Sequence, residues 1–162
     1  EELAQAVEGG QLVLEKVAKL ELLDATVREG LRIRPVAPIV GRRVATPVQL
    51  GGYDIPAGFV VAPGVYLAHH RAAAFAEPER FDPDRFLRGR PSPTEWLPFG
   101  GGVRRCLGMG FALQELKVVL ATLLLQRRLT LRRRGAAHAL LGGVTIAPQG
   151  GTWVTTVARR RR

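Results

Sequence analysis

The chain is poor in cysteine, and this scarcity excludes two common ways of stabilising a small protein. Cys106 is the only cysteine among 162 residues, so no internal disulfide can form. No CxxC or HExxH pattern occurs, and His69, His70 and His138 lack partners at metal-ligand spacing. We therefore expect neither a disulfide scaffold nor a zinc site, interpret the histidines as structural or exposed, and predict a reducing, cytoplasmic location.

Long uncharged apolar runs are also missing. A membrane span needs roughly 18 such residues, and the best candidate, residues 113–125, carries Glu115 and Lys117. The chain starts at Glu1 with neither a basic nor an apolar leader, so no signal peptide is predicted. We expect no membrane segment in this chain.

Acidic residues are scarce towards the C-terminus. Residues 1–95 hold 12 basic and 13 acidic side chains, whereas residues 96–162 hold 12 basic and one acidic. Such an excess can attract nucleic acid or an acidic protein, or it can be a solvated tail with helix-end arginines. We interpret residues 159–162 as a solvated tail and expect no nucleic-acid partner. Arginine far outnumbers lysine, a bias typical of GC-rich bacterial genomes.

The residues that are present predict one turn-rich domain, mainly α with small β-sheets. Hydrophobic residues make up 46% of the chain, with 19 Gly and 11 Pro. Apolar residues at three- and four-residue spacing predict a helix over about 20–33, ended by Pro35. A second apolar stripe predicts a long helix after Gly108, through Phe111, Leu116, Leu120, Leu123 and Leu124. Short strands are expected between these helices, and residues 144–146 and 153–157 are expected to form a hairpin.

A glycine-rich loop delivers the single cysteine to the start of the second helix. Residues 99–108 read FGGGVRRCLG. Glycines let the backbone turn tightly and approach a flat ligand, while the amide groups and dipole at a helix start stabilise a thiolate. A lone cysteine is more often an inert small hydrophobe. These neighbours make Cys106 a candidate anionic ligand.

Charged residues upstream form two further patterns. Glu29 and Arg32 are three residues apart, which places an acid and a base on one helix face. Residues 83–86 read PDRF and supply Arg85. An isolated pair of the first kind is usually a surface ion pair of little energetic weight, so its meaning depends on context.

Together, these motifs resemble the cytochrome P-450 family. The loop matches the family pattern FxxGxRxCxG at every fixed position, Glu29 and Arg32 match ExxR, and residues 83–86 resemble PERF with Asp84 replacing glutamate. A looser match is the HR segment at His70 and Arg71. The resemblance follows the family's order over residues 1–162 and implies the C-terminal, haem-thiolate part of a single P-450 domain, with the N-terminal part absent.

The resemblance implies a haem b site in which Cys106 is the thiolate ligand to iron. Phe99 would shield the sulfur, and Arg104 would neutralise a haem propionate. Arg42, or its neighbour Arg43, aligns with a second propionate position, with plain strand-edge arginines as the alternative. The implied haem-binding residues are Phe99, Gly100, Gly102, Arg104, Cys106, Gly108 and Arg42. Glu29, Arg32 and Arg85 are implied to form a buried structural triad that does no chemistry.

The implied activity is monooxygenation of a hydrophobic organic substrate with O2. The implied electron donor is an acidic ferredoxin or flavin reductase, with docking contributed by Arg104, Arg105, Lys117, Arg127 and Arg128. Two alternatives stay open, a haem-thiolate peroxygenase and a non-catalytic fragment of a truncated gene. We expect residues 1–162 alone to be inactive and to leave the apolar faces of both long helices exposed.

Overall fold

The computed structural model of the protein describes residues 1–132 and 139–159. His138 and residues 160–162 of the expected solvated tail lie outside these ranges. Within them, the helices are α1 (Leu14–Val17), α2 (Glu21–Ile33), α3 (Val65–His69), α4 (Asp84–Arg88) and α5 (Met109–Gln126). The bounds of α2 and α5 confirm both long helices predicted from apolar spacing.

The strands in the described ranges are short and pair into two-stranded antiparallel sheets. They are β1 (Val7–Glu8), β2 (Gln11–Leu12), β3 (Arg42–Arg43), β4 (Val48–Leu50), β5 (Tyr53–Ile55), β6 (Val60–Val61), β7 (Arg127–Leu131), β8 (Ala139–Gly142), β9 (Thr145–Pro148) and β10 (Val154–Arg159). The pairs are β1–β2, β3–β6, β4–β5, β7–β10 and β8–β9. The predicted class, mainly α with small β-sheets, is confirmed.

Helix α2 is capped by a residue far from it in sequence. The Glu2 carboxylate accepts hydrogen bonds from the backbone N–H groups of Leu22 at 2.7 Å and Leu23 at 3.0 Å. These bonds satisfy two of the N–H groups that every helix start leaves without an intrahelical partner. The helix ends at Ile33, two residues before Pro35, because proline disfavours a helical conformation in the residue before it.

A small apolar core forms where α2 packs against α1, α5 and the N-terminal 3₁₀ turn (Glu2–Ala6). Its buried members are Ala6, Val17, Leu20, Leu23 and Ala121. The expectation that α2 leaves its apolar face exposed is therefore wrong, because α5 packs against α2, and Leu20 and Leu23 share this core with α1 and the N-terminal turn.

Helix α5 buries only a narrow part of its surface. Leu113, Lys117 and Ala121 are buried, whereas Phe111 is 74% exposed and Val119 is 49% exposed. The apolar stripe predicted for this helix therefore faces outwards over much of its length. The expected exposure of an apolar face is confirmed for α5.

Helix α5 also has the length and composition of a segment that can cross a membrane. Length and composition alone do not establish a membrane span, so the expectation of no membrane segment stays a prediction. In the structure, Lys117 Nζ lies 3.3 Å from Asp24 Oδ1 and donates to the Ala18 carbonyl at 3.4 Å. These contacts attach the middle of α5 to the rest of the fold.

The C-terminal strands pair differently from the prediction. The hairpin expected between residues 144–146 and 153–157 does not form. Instead, β9 pairs with β8 across a two-residue turn, and β10 pairs with β7. Gly143 in that turn has a φ of 66°, which suits the tight turns that join neighbouring strands. Sequence alternation located strands here but assigned them the wrong partners.

The burial difference between two neighbouring leucines of α2 gives a stability prediction. Leu23→Ala should lower the free energy of unfolding by about 2–5 kcal/mol, because it leaves a cavity in the core. Leu22→Ala is the matched control, since Leu22 is 46% exposed, and its cost should stay within about 0.5 kcal/mol. Urea unfolding of both variants measures the difference. Equal costs would place the core elsewhere.

Candidate functional site

Glu29 and Arg32 form a buried ion pair on one face of α2. Arg32 Nε donates to Glu29 Oε2 at 2.7 Å, and its Nη2 donates to Oε1 at 2.9 Å. Both side chains have 0% exposure. A buried bidentate pair of this kind needs every remaining donor and acceptor satisfied, because water is not available to it.

The partners of this pair come from distant segments of the chain. Arg32 Nη1 donates to the His69 carbonyl at 2.8 Å, and Nη2 donates to the Pro78 carbonyl at 2.8 Å. Glu29 Oε1 accepts the Asp82 N–H at 2.9 Å. The ion pair therefore fixes the proline-rich coil over residues 76–98, which is interrupted only by the short helix α4 within the described chain, against α2.

The structure brings Arg85 to the same carboxylate. Arg85 Nε donates to Glu29 Oε1 at 3.2 Å, and its side chain is 10% exposed. Its Nη1 donates to the Ala76 carbonyl at 3.0 Å. Arg85 is in α4, which begins directly after Pro83. Glu29, Arg32 and Arg85 were selected from two sequence motifs. In the structure, both arginines bind the carboxylate of Glu29.

His69 also belongs to this site, although the sequence predicted no contacts for it. Its side chain is fully buried, its Nδ1 lies 3.0 Å from the Arg32 carbonyl oxygen, and its Nε2 accepts the Leu97 N–H at 2.8 Å. Burial lowers the pKa of His69 from 6.5 to about 4. The motif comparison had pointed instead to His70, whose Nδ1 bonds only to the Tyr66 carbonyl one turn earlier.

Aromatic contacts connect the coil to the start of the cysteine loop. Trp96 makes edge-to-face contacts with Phe86 at 6.0 Å and with Phe99 at 6.1 Å between ring centroids. The Arg28 guanidinium lies 5.1 Å from the centroid of the Trp96 ring, and Trp96 Nε1 donates to the Arg28 carbonyl. Phe99, predicted to shield the sulfur, is thereby held from behind by Trp96. The position of Trp96, three residues before Phe99, was an available signal that sequence reasoning did not use.

Arg28 also belongs to a partly buried ionic cluster with Asp24 and Lys117. Arg28 Nε donates to Asp24 Oδ2, and Lys117 approaches the other carboxylate oxygen. Burial acts to raise the pKa of Asp24, but the hydrogen bond and charge of Arg28, together with Lys117, hold it below its usual value. This cluster fastens α2 to α5, the helix that follows the cysteine loop.

The cysteine loop owes its shape to two glycines and a few backbone hydrogen bonds. Gly100 and Gly102 have φ values of 70° and 63°, in the left-handed region where other residues are strained. The Gly100 N–H donates to the Leu97 carbonyl, and the Cys106 N–H donates to the Phe99 carbonyl, both at 2.9 Å. The chain therefore folds back on itself and brings Cys106 next to Phe99.

The loop presents Cys106 on an exposed, concave surface just before α5. The thiol is free and exposed, and a cavity of about 450 Å³ is lined by Gly102, Val103, Cys106 and Leu107 among others. Val103 and Leu107 have fully exposed side chains. A soft sulfur donor between bare apolar side chains, beside glycines that have open space around them, fits a flat apolar group carrying a thiophilic metal.

The remaining predicted haem-binding residues show less specific geometry. Arg104 is exposed in the 3₁₀ turn Gly102–Arg104. Arg42 donates to the Gly41 carbonyl and Arg43 to the Gly58 carbonyl, so both arginines bond locally within their sheet. Gly108 has a φ of −79°, which any residue adopts. A Cβ at Gly108 would lie 3.8 Å from Cys106 Sγ, so its lack of a side chain leaves room beside the sulfur.

Comparison with known proteins identifies the family of the chain. A family model described as cytochrome P450 matches residues 1–150. The chain belongs to the cytochrome P450 family.

Similar P450 sequences come from mycobacteria. A putative cytochrome P450 135B1 of Mycobacterium tuberculosis is 44% identical over 140 residues, covering 86% of this chain and 30% of the relative. A putative cytochrome P450 138 of the same species is 42% identical over 144 residues, covering 87% of this chain and 32% of the relative. The chain thus spans about 30% of the length of these curated relatives.

Solved P450 structures share the arrangement described above. A retinoic acid-bound cyanobacterial CYP120A1 superposes with a TM-score of 0.84 at 27% identity, covering 96% of this chain and 37% of the other. The haem domain of cytochrome P450DA superposes with a TM-score of 0.85 at 28% identity, covering 99% of this chain and 36% of the other. The coil, the sheets and the cysteine loop therefore belong to the P450 fold.

The buried ion pair gives a prediction with a control of identical spacing. Glu29→Gln should lower the free energy of unfolding by about 3–5 kcal/mol, because it leaves Arg32 buried without its counter-charge. Glu77 and Arg80 are also three residues apart and paired at 3.0 Å, but they are 71% and 66% exposed. Glu77→Gln should therefore cost less than about 1 kcal/mol. Chemical unfolding measures both, and similar costs would contradict the structural role of the buried pair.

The lowered pKa of His69 predicts a pH-dependent stability. Folded His69 stays neutral down to about pH 4, whereas the unfolded residue takes up a proton near 6.5. Its contribution is therefore present above pH 6.5 and is lost as the pH falls towards 4, by about 3 kcal/mol in total. The groups that act electrostatically on His69 are Arg32, His70 and Glu29, and Arg32 and Glu29 are paired with each other.

Replacement of His69 provides the check on this pH dependence. Unfolding free energies of the wild type and His69→Gln, measured from pH 7 to pH 4.5, should show a shallower slope for the variant. Parallel slopes would show that His69 is not the group responsible.

Proposed function

We propose that this chain is the haem-ligating part of a P450 monooxygenase and that Cys106 is the thiolate ligand of the haem iron. The observation that carries the proposal is an exposed, unpaired thiol on a glycine loop that is tied to a buried ion-pair network. Membership in the P450 family supports it. We also propose that residues 1–162 are one part of a longer polypeptide. The support is that the chain covers about 30% of the length of the curated relatives.

The proposed group is haem b, bound at the concave surface around Cys106. Phe99, Gly100, Gly102, Gly108 and Arg104 would surround it on the sulfur side, and Arg42 is proposed as a second contact to a propionate. When bound, haem supplies the activation of O2 and the transfer of one oxygen atom to a hydrophobic organic substrate. Arg104 would hold a propionate by charge, and the glycines would allow the backbone to lie close to the ring.

The other residues of the site act by position. Arg104 and Arg105 directly precede Cys106 in the loop, and α5 begins three residues after it. Phe99, backed by Trp96, would shield one side of the sulfur when haem is bound. Glu29, Arg32 and Arg85 hold the coil that leads to the loop, and they do no chemistry.

The exposed face of α5 bears on the activity of the isolated chain. Phe111 and Val119 are apolar and exposed, and Val103 and Leu107 beside Cys106 are bare. A haem bound only here would leave its opposite face in water, losing burial of roughly 25 cal/mol per Å². We propose that residues 1–162 alone bind haem weakly and do not turn over substrate.

An acidic electron donor is the proposed partner of the basic surface near the loop. Arg104, Arg105 and Arg128 are exposed, which suits long-range attraction of an acidic protein. Lys117, expected to contribute, does not belong to this surface, because it is buried and paired with Asp24. Arg127 is half-buried and donates to the Gln126 carbonyl.

If Cys106 is the iron ligand, replacing the two sulfur-containing residues of the chain, Cys106 and Met109, should have different effects. In the haem-loaded full-length protein, Cys106→Ser should abolish the thiolate-type spectrum of the reduced carbon-monoxide complex. Met109→Leu removes the only other sulfur within residues 1–162 and should leave that spectrum intact. A thiolate-type spectrum that survives Cys106→Ser would overturn the proposal.

The docking proposal predicts a charge-specific effect on electron transfer. Arg105→Glu should slow reduction of the full-length protein by its donor on the order of tenfold at low ionic strength, and it should weaken the salt dependence. Arg34→Glu makes the same change in net charge at an exposed position at the end of α2. The Arg34 variant should keep the wild-type rate. Equal rates for both variants would contradict docking at Arg105.

A further inference from the structure

His69 connects two parts of the site that are far apart in sequence. Its Nδ1 faces the carbonyl oxygen of Arg32 in α2, and its Nε2 accepts the N–H of Leu97 ahead of the cysteine loop. Its own carbonyl accepts the Arg32 guanidinium at 2.8 Å. In the described chain, this ring is a side-chain bridge between the helix that carries the ion pair and the segment that leads to Cys106.

The hydrogen bonds continue from Leu97 to the cysteine. The Leu97 carbonyl accepts the Gly100 N–H, which closes the first turn of the loop. Two residues after Leu97, the Phe99 carbonyl accepts the Cys106 N–H. The position of Leu97 thus determines where the loop begins. The hydrogen bonds within the loop then fix the position of Cys106 relative to Leu97.

The ring can make both bonds in only one protonation state. An Nε2 that accepts the Leu97 N–H has no proton, so in the neutral ring the proton is on Nδ1, which donates to the Arg32 carbonyl. Burial lowers the pKa of His69 and keeps the ring neutral. The edge of Phe75, 6.2 Å away between centroids, packs against it.

We propose that His69 is a positioning residue for the thiolate ligand, holding Leu97 and therefore the cysteine loop at the place where Cys106 can bind iron. This inference rests on the proposed function, because it assigns His69 a role in presenting the ligand. The bond to Leu97 is the essential one, and the bond to Arg32 orients the ring.

Two amide substitutions separate the bonds. In His69→Gln, the side-chain amide reaches the position of Nε2 and can still accept the Leu97 N–H. In His69→Asn, the amide reaches only the position of Nδ1, so the Leu97 N–H loses its acceptor. His70→Gln is the matched control, because His70 bonds within its own turn to Tyr66.

The variants are compared in the haem-loaded full-length protein by amide hydrogen exchange and by the spectrum of the reduced carbon-monoxide complex. His69→Asn should speed exchange at Leu97 and Gly100 by about tenfold, the effect of losing one net hydrogen bond. It should also convert part of the thiolate-type spectrum to the form without thiolate. His69→Gln should restore most of both signals, and His70→Gln should leave them as in the wild type.

Wild-type exchange and spectrum in His69→Asn would overturn the proposal, as would equal losses in the Asn and Gln variants. A wild-type protein without the thiolate-type spectrum would overturn the proposed function instead, while exchange at Leu97 would still report on the bridge. If the Asn variant does not fold, ¹⁵N shifts of the wild-type ring decide the matter. A proton on Nδ1 supports the bridge, and a proton on Nε2 rules it out.

Discussion

The buried pair of Glu29 and Arg32 is the interaction on which the rest of the described site depends. Two charges without solvent exposure are tolerated only if every donor and acceptor finds a partner. Those partners are carbonyls of residues 69 and 78, the amide of Asp82 and the guanidinium of Arg85. Because they come from separate segments, satisfying one ion pair gives a proline-rich coil a single arrangement.

Contacts at the end of that coil connect the buried ion pair to the cysteine loop. His69 holds the Leu97 amide, and Trp96 packs between Phe86 and Phe99. The loop beyond these contacts is shaped by its own glycines and leaves Cys106 exposed. A thiol that binds a metal must be held in a fixed position and must also be accessible. The contacts of the coil would provide the first condition, and the exposed surface at Cys106 would provide the second.

Sequence predicted the parts of this site that are local and missed those that depend on folding. Helix α2, helix α5 and the pairing of Glu29 with Arg32 follow from spacing along one helix, and the family motif singled out Cys106. The contacts of His69 join residues 28 or more positions apart, and no periodicity reports on such contacts. Strand alternation likewise cannot name a partner, so β9 and β10 were paired wrongly. Lys117 was expected on the surface because its charge was visible in the sequence, whereas its pairing with Asp24 was not.

X-ray absorption at the iron edge of the haem-loaded full-length protein tests most directly whether the buried ion pair holds Cys106 as an iron ligand. The wild type and Glu77→Gln should each show one sulfur neighbour to iron. Glu29→Gln, measured under conditions where it remains folded, should show a reduced sulfur contribution. A folded Glu29→Gln protein with full sulfur coordination, or a wild type with none, would contradict this account.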